Sequence, residues 1–118
     1  MLREGYIAKW RKYPKDEVKI RVARPSVLAP SKKLLGDFKA AEREGKESGL
    51  KKLEARKLAW DKADYERRFR AEILSNPKAL AKLKEIKELA KEKDVRLICY
   101  ERKPPCHRFI LMDLINSL

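Results

Sequence analysis

The sequence predicts a small α/β domain with a short, mainly parallel sheet of about three strands, flanked by four to five helices in a three-layer-like arrangement. Two segments rich in β-branched residues, Val18–Val22 and Val95–Tyr100, are typical of strands. Long stretches with helical periodicity separate and follow them, and strands separated by helices pair in parallel. The chain of 118 residues is long enough for one domain, which we assign to residues 1–118.

The three strand candidates differ in pattern. Val18, Ile20 and Val22 alternate with polar or small residues until Arg24-Pro25 ends the run. The run Val95–Tyr100 is mostly apolar, which is typical of a central strand covered on both faces. Tyr6-Ile7-Ala8, near the start of the chain, is the weakest of the three.

The first helices follow the second strand candidate. Ser31 is a natural N-cap after Pro30, and it opens a helix with Leu34, Leu35 and Phe38 on one face. The segment Gly45–Gly49 predicts a break. From Leu50 to Trp60 the helical pattern continues less regularly.

The later helices carry stronger patterns. Asp61 begins an Asp-x-x-Asp pattern that resembles a capping box and predicts a helix start. Asn76-Pro77 combines an N-cap residue with proline at the first helical position. The last helix is predicted to open near Pro105-Cys106. Two apolar faces accompany these helices: Tyr65, Phe69 and Ile73, and Leu80, Leu83, Ile86 and Ala90.

The charge balance favours anionic partners. Lys and Arg number 31 against 18 Asp and Glu, a net charge of +13, and the relative excess is greatest near the N-terminus. Nucleic acid is one such partner. Heat adaptation explains the same charge, because the chain has no Gln or Thr and only two Asn, as in proteins of thermophiles. No membrane span or secretory signal is evident, so we expect a soluble, cytoplasmic protein with no membrane partner.

The predicted sheet places two loops at one edge. Ligands of parallel sheets bind outside the carboxyl ends of the strands. One candidate strand ends at Arg24, and the other is followed by Tyr100, Glu101 and the run Cys106-His107-Arg108. We therefore expect these residues to share a site.

The Cys106-His107-Arg108 run carries the candidate chemistry. A thiol at a helix N-terminus beside cationic groups has a lowered pKa, so Cys106 is the candidate nucleophile, with His107 or Glu101 as the proton-transfer group. Arg24, Arg108 and Tyr100 are candidate anion-binding residues.

Structural roles remain open for the same residues. Cys106 would then cap or pack against the last helix, and Arg108 would form an ion pair with Glu101 or Asp113. Cys99 is interpreted as a core thiol, although a Cys99–Cys106 disulfide is conceivable in a heat-adapted protein. Two cysteines and one histidine cannot supply a four-ligand zinc site, and we predict neither a metal nor a cofactor.

Several of these segments resemble the YeaO-like family (domain of unknown function 488), in its archaeal type. The resemblance covers nearly the whole chain in order and implies a small α/β domain without an assigned reaction. It also implies that the six candidate site residues form one site. The chain departs from the archaeal type at Phe109, where those members have a second histidine, and its segment Gly45–Ala59 is longer. The segments that carry the resemblance are Arg24-Pro25, Leu28–Ser31, Leu34-Leu35, Phe38, Tyr65–Leu74, Cys99–Glu101 and Cys106–Arg108.

Three functional hypotheses follow. The first is a domain that binds a phosphate- or nucleotide-like anion at the carboxyl edge of the sheet, with cysteine-dependent chemistry as an extension. The second is a non-catalytic nucleic-acid-binding module that uses Arg11, Lys12 and Lys15. The third is a small protein-interaction subunit with exposed apolar surface along Leu50, Leu53 and Trp60. The sequence leaves the oligomeric state open.

Overall fold

The computed structural model describes residues 1–118 and has three parallel strands in one sheet, as predicted. Strand β1 spans Leu2–Tyr6, β2 spans Val18–Arg21 and β3 spans Val95–Cys99, in the order β1-β3-β2. The most apolar strand, β3, is central and hydrogen-bonds to both others in parallel. The small α/β fold class is therefore confirmed.

Five α-helices complete the fold, together with a short 3-10 helix over Ile7–Lys12. Helices α4 and α5 contact β3 directly, and α3 packs against both of them. A core of 21 buried residues lies between these helices and the sheet. None of the helices is long and apolar enough to cross a bilayer. The helices are α1 (Lys32–Glu47), α2 (Lys52–Lys62), α3 (Tyr65–Leu74), α4 (Pro77–Glu92) and α5 (His107–Asn116).

The other face of the sheet is covered by the connection between β1 and β2 and not by an α-helix. Arg96 lies on this face because side chains alternate along β3. Its guanidinium donates to both carboxylate oxygens of Glu17, at 2.5 and 3.1 Å, and lies 4.0 Å from the Tyr13 ring centroid. Gly5 leaves room for this arginine, because a Cβ there would lie 2.7 Å from Arg96 Cδ. The third layer is thus an irregular segment held by the buried Glu17 carboxylate, which pairs with Arg96 and, at 3.8 Å, with Lys19.

The two predicted N-caps are confirmed. The Ser31 hydroxyl accepts a hydrogen bond from Leu34 N at 3.1 Å and so caps α1. The Asn76 side chain accepts from Lys78 N at 3.0 Å and caps α4, with Pro77 at its first position. Both caps satisfy backbone N–H groups that have no partner inside the helix.

Three boundaries differ from the sequence prediction. The first strand ends at Tyr6, and Ile7 and Ala8 belong to the 3-10 helix. Helix α1 continues through Gly45, whose bare Cα lets α2 approach, and the break comes at Gly49 with φ 100°. Asp61 lies inside α2 and does not begin a helix. The chain turns at Asp64, which adopts a left-handed φ of 51° that Asp tolerates better than most residues.

Candidate functional site

A cavity of about 420 Å³ lies at the carboxyl ends of β2 and β3. The loops after these two strands form one side of it, together with the start of α5. Helices α1, α2 and α3 supply the opposite wall. Its size is in the range of pockets that hold small molecules.

Five of the six predicted site residues line this cavity. Arg24 follows β2, Tyr100 and Glu101 follow β3, and Cys106 and His107 stand at the start of α5. Arg24 and Tyr100 are exposed at the rim, whereas Cys106 and His107 are buried in the floor. The sequence-predicted set is thus brought together except for Arg108.

Arg108 lies outside the cavity lining and is only 1% exposed. Its Nε donates to Glu4 Oε2 at 2.9 Å, and its two terminal nitrogens donate to the backbone carbonyls of Glu101 and Arg102. The guanidinium therefore joins β1, the loop after β3 and the start of α5. Each of its three guanidinium nitrogens already donates to a protein acceptor, which favours a structural role over anion binding. Its ion-pair partner is Glu4 and not the predicted Glu101 or Asp113.

The floor of the cavity is a cluster of two thiols and one imidazole. His107 Nδ1 lies 3.9 Å from Cys99 Sγ and 3.8 Å from Cys106 Sγ. All three ligand-type atoms lie within 4.8 Å of one another, and both cysteines are free thiols. Cys99 is buried as predicted, but it faces the site and is not confined to the core interior.

One hydrogen bond determines the tautomer of His107. Its Nε2 lies 2.8 Å from the carbonyl oxygen of Val22, which can only accept a hydrogen bond. Nε2 therefore carries the proton, and in the neutral ring Nδ1 presents a lone pair to the two sulfurs. The ring is further held by Phe69, edge-on at 5.4 Å between ring centroids.

One proton shared between the two thiols is the state that their pKa shifts favour. The hydrogen bond from Cys106 lowers the pKa of the Cys99 thiol against the effect of burial, and His107 and the backbone N–H of Glu101 add to the lowering. The same hydrogen bond to Cys99, together with burial, raises the pKa of the Cys106 thiol. The directions of these two pKa shifts favour the thiolate on Cys99, at the end of the central strand, whereas the sequence predicts it on Cys106.

A pH series of alkylation checks this charge distribution in protein freed of metal with a chelator. We expect one thiol, Cys99, to react with iodoacetamide with a midpoint well below the free-thiol value of about 8.5. Cys106→Ser should keep a low midpoint because its hydroxyl still donates to the thiolate. Cys106→Ala removes that donor and should raise the midpoint. Peptide mass spectrometry identifies the alkylated residue, and equal midpoints in the two variants would contradict the shared proton.

An aromatic wall stands across the cavity. Trp60 stacks on Tyr65 with ring centroids 4.0 Å apart, and Phe38 meets both rings edge-on. Burial, followed by the nearby thiols, raises the pKa of Tyr65, so its phenol stays protonated. This wall offers a flat apolar surface and a hydroxyl donor to a ligand.

Three cations line the cavity. Arg24 and Lys39 are exposed, and neither takes part in an ion pair. Arg56 is buried, donates to Pro105 O at 2.5 Å, and lies 3.3 Å from Glu101 Oε1 and 3.8 Å from Glu42 Oε2. Glu101 therefore pairs with Arg56 and makes no contact with His107. The two unpaired cations remain available to an anion.

Sequence reasoning missed the contributions of α1 and α2. Lys39, Glu42 and Arg56 lie on helices whose charges look like ordinary solvent-facing residues. The one local clue is Arg56, which stands between Ala55 and Ala59, both fully buried, on the otherwise irregular α2. A charged residue on the small-residue face of a helix indicates a buried partner.

The structure also shows the exposure of the residues on which the nucleic-acid-binding and protein-interaction hypotheses depend. The short 3-10 helix exposes Lys9, Trp10, Arg11 and Lys12 together, and nucleic-acid binding there stays a prediction. Leu50, Leu53 and Trp60 are half-buried, and Trp60 belongs to the cavity wall.

Comparison with known families identifies the chain. The family model DUF488-N3a, described as the active DUF488-N3 subclade, matches residues 7–118. The chain belongs to the DUF488 family. The family resemblance is thereby confirmed, whereas its archaeal type stays a prediction. The DUF488-N3a match includes every residue of the cavity described above. No curated protein and no solved structure matches the chain.

Proposed function

We propose that this DUF488 protein is an enzyme that binds a phosphate- or carboxylate-bearing substrate in the cavity and attacks it with the Cys99 thiolate. The observation that carries the proposal is the placement of two unpaired cations, Arg24 and Lys39, at the opening of a cavity whose floor is the thiol–imidazole cluster. The description of the matched subclade as active is in keeping with catalysis.

The cations supply the binding step. Arg24 projects from the loop after β2, and Lys39 projects from α1 on the other side of the opening. An anionic group between them gains charge-assisted hydrogen bonds from two directions. The stacked Trp60 and Tyr65 rings then contact the remainder of the substrate, and planar groups fit this wall best.

The cluster supplies the covalent step. The Cys99 thiolate forms a bond to the phosphorus or carbonyl carbon of the substrate, and His107 Nδ1 accepts the proton that Cys106 held. The leaving group departs with the bonding electron pair and takes the proton from His107. Water then cleaves the sulfur–substrate bond, Cys99 leaves as the thiolate, and the proton lost by water returns through His107 to Cys106. The Val22 carbonyl stabilises the charged ring in the interval, because it accepts the Nε2 proton throughout.

Phosphate binding tests the first step. In a Trp10→Phe background, Trp60 fluorescence reports occupancy of the cavity. Arg24→Ala and Lys39→Ala should each weaken the binding of inorganic phosphate by about 10-fold or more, since each removes a charge-assisted hydrogen bond. Lys84→Ala removes an equally exposed charge from α4, away from the cavity, and should leave the affinity unchanged.

The second step is tested by turnover. A panel of phosphorylated and acylated compounds is screened with the wild-type protein, and Cys99→Ser is compared on any compound that is cleaved. We expect Cys99→Ser to bind phosphate normally and to lose turnover, which separates chemistry from binding. Unchanged phosphate affinity in both cation variants would overturn the binding site, and full turnover by Cys99→Ser would overturn the nucleophile.

A further inference from the structure

The thiol–imidazole cluster has the composition and spacing of a metal site. With Zn–S and Zn–N bonds of about 2.3 and 2.0 Å at tetrahedral angles, a sulfur and a nitrogen ligand lie about 3.5 Å apart. The two sulfur–nitrogen distances around His107 are 3.8 and 3.9 Å. Small side-chain rotations therefore suffice to bring all three atoms onto one ion.

The imidazole is already held as a metal ligand requires. A ligating histidine donates its other ring N–H to a carbonyl or carboxylate, which fixes the tautomer and the ring direction. Nε2 of His107 does this toward Val22 O, at 2.8 Å. The lone pair of Nδ1 consequently points to the two sulfurs. The same contact serves the proposed proton transfer, and it leaves Nδ1 in the form that a metal ion requires.

The three ligands come from rigid parts of the fold. Cys99 ends the central strand, while Cys106 and His107 begin α5. All three are buried, at 4%, 4% and 6% exposure, yet each lines the cavity. An ion bound to them would be shielded from bulk water on the protein side and open on the cavity side.

We propose that Cys99, Cys106 and His107 bind one zinc ion, with the fourth coordination position open to the cavity. Thiolate and imidazole ligands select zinc over magnesium or calcium, which prefer oxygen. Two thiolates also balance the charge of a divalent ion in a buried place. Three protein ligands and one open position distinguish this site from the closed four-ligand site that the composition excludes.

Zinc binding goes beyond the proposed function, because it engages the sulfur that would attack the substrate. The zinc-bound and thiolate forms are therefore alternative states of one site. Zinc should protect both cysteines from alkylation, and removal of zinc should expose Cys99 again. Zinc availability would then control whether the thiolate is free to react.

Cobalt serves as the spectroscopic probe for zinc. Metal-free protein is titrated with Co²⁺, and we expect one ion per chain, with sulfur-to-cobalt charge-transfer bands and the intense visible bands of tetrahedral coordination. Added Zn²⁺ should abolish these bands by displacement. Cys99→Ser and Cys106→Ser should each weaken Zn²⁺ affinity by about 100-fold or more, measured by competition with a chromophoric chelator. Circular dichroism of each variant checks that it folds.

Matched controls separate this inference from the proposed function. Arg24→Ala leaves all three ligands intact and should bind zinc as tightly as the wild type while binding phosphate less well. The serine variants should show the reverse, with weak zinc binding and normal phosphate binding. Absence of tetrahedral cobalt bands, or Zn²⁺ affinity that survives Cys106→Ser, would overturn the zinc site without touching the anion site.

Discussion

Replacing Phe69 with alanine should lower the free energy of unfolding by about 3–5 kcal/mol. Phe69 is fully buried on α3, between the rings of Tyr65 and His107, whose centroids lie 6.0 and 5.4 Å away. Its removal leaves a cavity beneath the cluster that the neighbouring rings can only partly fill. The total stability of a domain of this size is about 5–15 kcal/mol, so the loss is a large fraction of it.

Urea and thermal unfolding measure this effect. The midpoint temperature should fall by roughly 10–20 °C. Leu74→Ala is the control on the same helix, because Leu74 is 52% exposed and its truncation should change stability by less than about 1 kcal/mol. Similar losses for the two variants would mean that α3 does not bury the Tyr65–Phe69–Ile73 face.

The parts of the fold that local patterns determine were predictable. Asn76-Pro77 and Ser31 mark helix starts because their side chains bond to backbone groups within three residues. The apolar run of β3 indicates a central strand because only a doubly covered strand needs apolar residues on successive positions. Strand β1 was misplaced for the opposite reason. Its sequence, LREGY, has little apolar character, and its pairing with β3 depends on residues more than 90 positions away.

The sequence predicts the candidate site only where the order and pairing of the strands determine which loops meet. Parallel pairing places the residues after β2 and β3 at one edge, and for this reason Arg24 and Cys106 share a cavity. The helix wall, with Arg56 and Tyr65, depends on how α2 and α3 pack, which no local spacing encodes. The sequence predicts Cys99 as a core thiol, because a buried strand residue that lines a site has the same sequence pattern as one that only packs in the core. Here the last residue of the strand does both.

Replacing Arg108 with methionine should also lower the free energy of unfolding, by about 1–3 kcal/mol. Methionine fills similar space but leaves the carbonyls of Glu101 and Arg102 without their donor, and Glu4 without its cation. Glu4 is 43% exposed on its side chain, so water can replace the lost partner there. Arg102 is exposed, so water also reaches its carbonyl, whereas Glu101 is half-buried. The Glu101 carbonyl therefore accounts for most of the loss, since an acceptor that loses its donor away from water costs about 1–3 kcal/mol.

Two comparisons distinguish this structural role from the anion-binding role that the sequence predicts for Arg108. Glu4→Gln, which removes only the exposed half of the ion pair, should cost about 1 kcal/mol or less in urea unfolding. Phosphate should stabilise Arg108→Met as much as it stabilises the wild type, because the stabilisation depends only on ligand affinity and concentration. If phosphate instead fails to stabilise Arg108→Met, then Arg108 contacts the ligand, and its hydrogen bonds to the loop after β3 must open when the anion binds.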